Sequence, residues 1–175
     1  MEVASYGPAR SISGTSKRYR RRMPNADTAA LLADPVAQEL LHAPIPARLA
    51  YTWSDSTPRV VPIWFHWDGE EIVMGTPRRA PKLKALKDGD RVAVTIDSTD
   101  WPYKALLVRG VASVTRVDGI TSEYQQSAIR YFGEEQGTAW VSQFPTDMQM
   151  WRIAVRPDEV AILDFESRFP SALSA

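Results

Sequence analysis

An Asp-Gly dipeptide at positions 68–69 lies between two β-rich runs, and this pattern constrains the fold more than any other feature of the chain. Residues 59–67 alternate in hydrophobicity before it, and residues 71–76 form a second β-rich run after it. Glycine adopts the positive φ that a tight turn requires, so the pattern predicts a β-hairpin.

The linker that follows the hairpin is rich in positive charge. The predicted strand ends at Thr76, and Arg78, Arg79 and Lys82 follow within a few positions, where a short helix over 81–87 begins. A phosphate group requires hydroxyl, amide and cationic donors that converge on it, and this linker contains all three kinds. The sequence therefore predicts an anion site here. Simple solvation of the three cations is the alternative that residue content alone leaves open.

A proline inside the first run restricts where that strand can lie. Pro62 cannot donate to a β-ladder, so the strand is expected at a sheet edge, or next to a turn, a bulge or a ligand. Alternation predicts two faces. The inward face holds Val61, Ile63, Phe65 and Trp67, and the outward face holds Val60, Pro62, Trp64 and His66. On the outward face a planar ring or a second subunit could cover Trp64, although ordinary packing is the usual role of tryptophan.

The rest of the chain predicts a small, mostly antiparallel barrel with inserted helices. Seven strands are predicted, at 48–53, 59–67, 71–76, 91–96, 104–116, 148–155 and 160–165. Gly110 inside the longest strand indicates a bulge or a close approach of another backbone. One helix is predicted at 26–42, with Asp34 as an N-cap before Pro35, and a helical stretch at 120–140 is expected to break near Gly133 and again at Gly137.

Composition narrows the classes of function. The 175 residues include 0 cysteines, which excludes disulfides, thiolate metal sites and thiol catalysis. His42 and His66 have no neighbours at metal-ligand spacing, so no protein-bound metal is expected. The 21 basic and 21 acidic residues balance, so nucleic acid is not an expected partner. No apolar run is long enough to span a membrane, and a cytoplasmic protein is the expectation.

Two segments are predicted along the chain. Residues 1–25 are expected to be a disordered basic arm, and residues 26–170 a single cofactor-binding domain. A polyanion-binding role for the arm is the alternative to a solvated tail, and it would make the protein an interaction module.

Taken in order, the motifs between residues 29 and 165 resemble the pyridoxamine 5'-phosphate oxidase-like family of FMN-binding split β-barrels, which includes deazaflavin-dependent reductases. The motifs are Pro-Ile-Trp-Phe at 62–65 with Trp-Asp-Gly at 67–69, the strand end at Thr76, Lys82 with Leu-Lys-Ala-Leu at 83–86, and the segments 90–97, 108–112 and 156–160. The resemblance implies a mostly β, antiparallel Greek-key split barrel. It also implies a homodimer with the cofactor between protomers.

The resemblance also implies roles for individual residues. Thr76 and Lys82 would hold the cofactor phosphate, with Arg78 and Arg79 as auxiliary groups. The cofactor is FMN or a deazaflavin (coenzyme F-420), and its ring would lie along the backbone of Val60, Val61, Pro62, Ile63 and Trp64. Trp64 or Trp101 would contact a hydrophobic substrate. No side chain is assigned a catalytic role, since the cofactor would carry the chemistry.

The sequence departs from the oxidase branch of this family at three places. Ala-Pro-Lys at 80–82 replaces Ser-Arg-Lys, Trp64 replaces a lysine, and the segment 131–135 lacks the arginine that grips substrate phosphate. Vitamin B6 oxidation is therefore not expected. The predicted function is hydride transfer to or from a small organic substrate. The alternative is a non-catalytic protein that binds flavin, haem or a tetrapyrrole on the same scaffold.

Overall fold

The computed structural model describes residues 26–145 and 147–168, and the predicted arm lies outside these residues. Within the described residues there are four α-helices, α1 (Ala26–Leu32), α2 (Pro35–His42), α3 (Ser122–Phe132) and α4 (Glu134–Ser142), with a 3-10 helix at Pro81–Lys84. The seven strands are β1 (Ala47–Thr52), β2 (Pro58–Ile63), β3 (His66–Trp67), β4 (Ile72–Pro77), β5 (Arg91–Asp97), β6 (Lys104–Asp118) and β7 (Gln149–Asp164).

All seven strands form one antiparallel sheet in the order β2-β1-β5-β6-β7-β4-β3. The sheet curls around a core that includes Leu49 of β1, Val94 of β5, Val108 of β6 and Ile153 of β7. β2 lies at one end of the order and β3 at the other, so the sheet is open between them. This arrangement confirms the predicted split barrel, and it confirms that Pro62 lies in an edge strand.

The opening lies inside the predicted hairpin. The Asp-Gly turn is confirmed, because Gly69 has a φ of 100° and Asp68 Oδ1 accepts hydrogen bonds from the amides of Glu70 and Glu71 at 2.9 and 2.7 Å. The prediction of one strand over 59–67 is wrong. Of the predicted strand, only the part that forms β3 pairs with β4, and it does so over two residue pairs. The part that forms β2 pairs with β1 instead, and β4 also pairs with β7.

The long strands β6 and β7 form the central ladder. The prediction of two strands at 148–155 and 160–165 is wrong, since β7 runs unbroken through both. The predicted bulge is confirmed, because the register shifts between Arg109 and Gly110. A Cβ at Gly110 would lie 2.2 Å from the Arg156 carbonyl oxygen, so only glycine fits there.

The helices also differ in part from the prediction. The single helix over 26–42 is wrong, because α2 begins separately with Asp34 as its N-cap, and Asp34 Oδ1 accepts the Val36 amide at 2.9 Å. The predicted break at Gly133 is confirmed, with a φ of 83°. The predicted break at Gly137 is wrong. Gly137 lies inside α4, where a Cβ would meet the Ile129 amide nitrogen at 2.6 Å, and it lets α4 pack closely on α3.

We expect Gly110→Ala to lower the free energy of unfolding by about 1–3 kcal/mol, because a methyl group would overlap the β7 backbone. Urea denaturation measures this change. Ser113→Ala is the control, since Ser113 is an exposed residue of the same strand, and it should change the free energy by less than about 0.5 kcal/mol. Equal stability of Gly110→Ala and wild type would contradict the close approach.

Candidate functional site

A lysine and a threonine meet at the end of β4. Thr76 follows Ile72 and Met74 on the face of β4 that points into the core, and it is 2 % exposed. The 3-10 helix brings Lys82 back over this strand end, and its Nζ donates a hydrogen bond of 2.8 Å to Thr76 Oγ1. Two of the predicted phosphate-binding residues therefore lie in direct contact.

Lys82 is a half-buried cation. Among residues 26–145 and 147–168, no carboxylate oxygen lies within 4.0 Å of its ammonium group. Arg152, another partly buried cation, does have such partners, since it contacts Asp68, Glu71 and Glu123. Burial lowers the pKa of Lys82, because the charged form loses part of its hydration. An anion that approached Lys82 would recover that lost stabilisation.

The two arginines of the linker lie further out. Arg78 and Arg79 are both exposed, and the backbone amide of Arg78 donates to the Gln149 carbonyl at 3.3 Å. This bond fixes the backbone of the linker while leaving the guanidinium groups in solvent.

The predicted cofactor strand β2 has the expected alternation. Ile63 is buried and Val61 packs on the core, whereas Val60 is 62 % exposed and Pro62 is exposed. β2 pairs with β1 and forms one edge of the sheet, so it offers exposed backbone and a flat apolar face.

Trp64 follows β2 directly, and rings of its own chain cover part of it. It stacks on Tyr131 at 4.8 Å between ring centroids with an interplanar angle of 16°, and it contacts Tyr124 at 5.6 Å and Phe132 at 5.2 Å. Helix α3 therefore occupies much of the space that alternation assigned to an external partner. The same Tyr124 is the neighbour of Gly75, where a Cβ would lie 2.9 Å from the Tyr124 Cβ, so one side chain joins Trp64 to β4.

Hydrogen bonds to one backbone carbonyl group fix the junction between β2 and β3. The Phe65 carbonyl accepts a hydrogen bond of 2.8 Å from Ser127 Oγ and another from Arg130 Nη2. Arg130 Nη1 also donates to the Leu41 carbonyl at 3.3 Å, and the guanidinium carbon lies 4.3 Å from the centroid of the Phe65 ring. Arg130 thus ties α2, α3 and the open edge of the sheet together.

Sequence reasoning did not identify these residues of α3. Tyr124, Ser127, Ala128 and Tyr131 follow the i, i+3, i+4, i+7 spacing of one helical face, which is the signal that could have placed them against β3 and β4.

The predicted substrate residue Trp101 lies elsewhere in the chain. It is 70 % exposed in the loop between β5 and β6, where it contacts Tyr103 and Phe165. The loop ends at Lys104, which pairs with Asp164 at the end of β7. Thr76 instead pairs with Trp151, near the beginning of β7. These two positions of β7 are separated by about 40 Å of extended strand. The structure does not bring Trp101 and Thr76 together within one chain.

Two further findings concern metals and membranes. The described residues contain no group of three or more His, Cys, Asp or Glu side chains that could hold a metal ion. Within the same part of the chain, no helix has the length and apolar character needed to cross a membrane.

Comparison with solved structures places this architecture among known proteins. An F420 reductase superposes with a TM-score of 0.52 and 25% sequence identity, covering 71% of this chain and 94% of that one. A Listeria innocua protein provisionally assigned as a pyridoxamine 5'-phosphate oxidase superposes with a TM-score of 0.53 and 19% identity, covering 72% and 94%. The chain has the pyridoxamine 5'-phosphate oxidase-like split β-barrel fold.

A third solved structure covers more of the chain. It is a conserved hypothetical protein from Mycobacterium tuberculosis, with a TM-score of 0.56 and 18% identity over 87% of this chain and 91% of that one. The sequence itself matches no family model and no curated protein.

We expect Arg130→Met to lower the free energy of unfolding by about 1.5–3 kcal/mol, because methionine keeps an apolar stem but removes the donor to the Leu41 carbonyl and leaves the Phe65 carbonyl with the Ser127 hydroxyl alone. The near-ultraviolet circular dichroism of the tryptophans should weaken as Trp64 loses its fixed environment. Arg109→Met is the control, because the Arg109–Glu159 pair is exposed and should contribute less than about 1 kcal/mol. Unchanged stability of Arg130→Met would contradict the role of this junction.

Proposed function

We propose that this protein is a homodimeric oxidoreductase that binds FMN or a deazaflavin and exchanges hydride with a small organic substrate. The observation that carries the proposal is the half-buried Lys82, which donates to Thr76 and has no carboxylate partner among the described residues. A cation in this setting is matched by an anionic ligand that supplies the missing counter-charge.

The donors at the end of β4 suit a phosphate group. An ammonium group has three N–H donors, and Thr76 takes one of them, so two remain for phosphate oxygens. The Thr76 hydroxyl accepts from Lys82 and keeps its own proton for donation to the same ligand. Arg78 and Arg79 add positive charge at the solvent side. Since the Ser-Arg pair of the oxidase branch is absent, Lys82 would carry most of this interaction.

The edge strand suits a flat ring. In this proposal the ring lies along the backbone of Val60, Val61, Pro62, Ile63 and Trp64, and a second subunit closes the other side of the crevice. The bound flavin or deazaflavin supplies the hydride carrier, while the protein binds and orients it and excludes water. Trp101 would reach a substrate in this crevice only from the second subunit.

The similarity to an F420 reductase at 25% identity supports a deazaflavin, and FMN is the alternative that the sequence motifs imply. Both cofactors carry a phosphate and a tricyclic ring, so the same residues serve either one. Purified protein should therefore be titrated with both, and its mass in solution measured by analytical ultracentrifugation. Absence of binding to either cofactor at micromolar concentration would reject the proposal.

Turnover distinguishes an oxidoreductase from a carrier. Stopped-flow mixing of the loaded protein with nicotinamide nucleotides, or with reduced deazaflavin and an electron acceptor, should change the cofactor spectrum. A ligand that stays bound without any such change would instead favour the non-catalytic binding protein.

We expect Lys82→Ala to weaken binding of the phosphorylated cofactor by about 1.5–3 kcal/mol, because a charge-assisted hydrogen bond is lost. Fluorescence titration measures the change. Lys84→Ala is the matched control, since Lys84 is an exposed lysine of the same short helix. An equal loss in both variants would remove Lys82 from the site.

The affinity for FMN should also depend on pH through Lys82. The charged form of Lys82 binds phosphate, and burial lowers its pKa, so the charge is lost at a lower pH than for an exposed lysine. We therefore expect the ratio of FMN affinity to riboflavin affinity to fall as pH rises, and the fall to begin at a lower pH than the ordinary lysine pKa of about 10.4 would give. Riboflavin has the same ring without the phosphate, so ring ionisation cancels. A ratio that falls equally in Lys82→Ala would contradict this assignment.

A further inference from the structure

Six aromatic rings, of which Trp64 is one, form a continuous surface. None of them belongs to the hydrophobic core of the barrel. The rings of this aromatic surface are Trp64, Tyr124, Tyr131, Phe132, Trp140 and Phe144. Phe132 is 41 % exposed and Trp140 is 38 % exposed. Large aromatic rings that are held together at a surface, rather than scattered over it, are typical of binding sites.

The two exposed rings are fixed in place. Gly137 allows α4 to pack against the backbone of α3, which brings Trp140 to 6.3 Å from Trp64 and 5.9 Å from Phe132. Trp140 Nε1 donates to the Tyr124 hydroxyl at 3.3 Å, so the polar edge of the indole points into the cluster. The exposed part of Trp140 is therefore mainly apolar ring.

The charges around the aromatic surface disfavour an anion. α3 and α4 contain one basic residue, Arg130, and both of its terminal nitrogens donate to backbone carbonyls. Glu134 and Glu135 open α4 immediately after Phe132, and both are exposed. A phosphate or carboxylate here would meet negative charge and would find no available cation on α3 or α4, in contrast to the end of β4 at Lys82.

We propose that the aromatic surface binds an uncharged planar ring of the substrate, and that Phe132 and Trp140 select for it. The inference rests on the proposed function, because Trp64 continues directly from β2, where the cofactor ring would lie. A flat ring on this surface would gain stacking and apolar burial without the cost of removing a charge from water.

The test is isothermal titration calorimetry of the full-length protein, purified without cofactor, with naphthol and naphthyl phosphate. The two probes share a ring and differ in charge, and excess inorganic phosphate in the buffer occupies anion sites elsewhere. Naphthol should bind at least about tenfold more tightly than naphthyl phosphate. Phe132→Leu and Trp140→Leu should each weaken naphthol binding by about tenfold, and Trp140→Phe should retain most of the affinity.

Tyr103→Ala is the control, because Tyr103 belongs to the separate exposed aromatic group around Trp101 and should leave naphthol affinity unchanged. Circular dichroism confirms that each variant is folded. Equal naphthol affinity in wild type and both leucine variants would overturn the proposal, and so would naphthyl phosphate binding as tightly as naphthol. A change in the oligomeric mass of the leucine variants with unchanged naphthol affinity would identify a subunit contact and also overturn it.

The outcome is separable from that of the proposed function, because naphthol binding is measured without cofactor. Naphthol binding without any FMN or deazaflavin binding would support the ring-binding surface and reject the oxidoreductase. Cofactor binding without naphthol binding would reject only the ring-binding surface.

Discussion

The Phe65 carbonyl group is the point on which the rest of the structure depends. At this residue the chain leaves one edge of the sheet and joins the other, so no strand is available to pair with its backbone. A buried carbonyl without a donor costs about 1–3 kcal/mol, and Ser127 and Arg130 of α3 supply the donors. This contact fixes α3 against the open edge of the sheet. The position of α3 in turn sets the environment of Trp64 and Gly75.

Two half-buried cations illustrate different uses of charge. The terminal nitrogens of Arg130 donate to the carbonyls of Phe65 and Leu41. Burial lowers the pKa of Arg130, although an arginine stays protonated in proteins. Lys82 donates to one hydroxyl and retains donors for a ligand. The first cation stabilises the fold, whereas the second is available for chemistry. Their separation explains how the proposed phosphate site and the proposed ring-binding surface could coexist in one small domain.

Local chemistry determined which parts of the fold the sequence could predict. The Asp-Gly turn, the edge position of Pro62 and the bulge at Gly110 follow from the backbone limits of single residues. The break at Trp64 and Phe65 could not be predicted, because it depends on donors about 60 positions later in the chain. Pro157 gave the segment 156–159 the composition of a turn, but pairing with Gly110 of β6 keeps it in β7. For the site, the short spacing of Thr76 and Lys82 made their contact predictable, whereas the aromatic surface depends on how two helices pack.

The bulge at Gly110 also has a consequence for the two open edges of the sheet. One wing of the sheet, β5, β1 and β2, is joined through β5 to the first half of β6. The other wing, β4 and β3, is joined through β4 to the first half of β7, which pairs with the second half of β6. Both wings therefore share the β6–β7 ladder. The register shift lies where the wings meet. A change of twist at that bulge would widen or narrow the gap between β2 and β3. A residue far from the open edges of the sheet could thus set how far apart those edges lie.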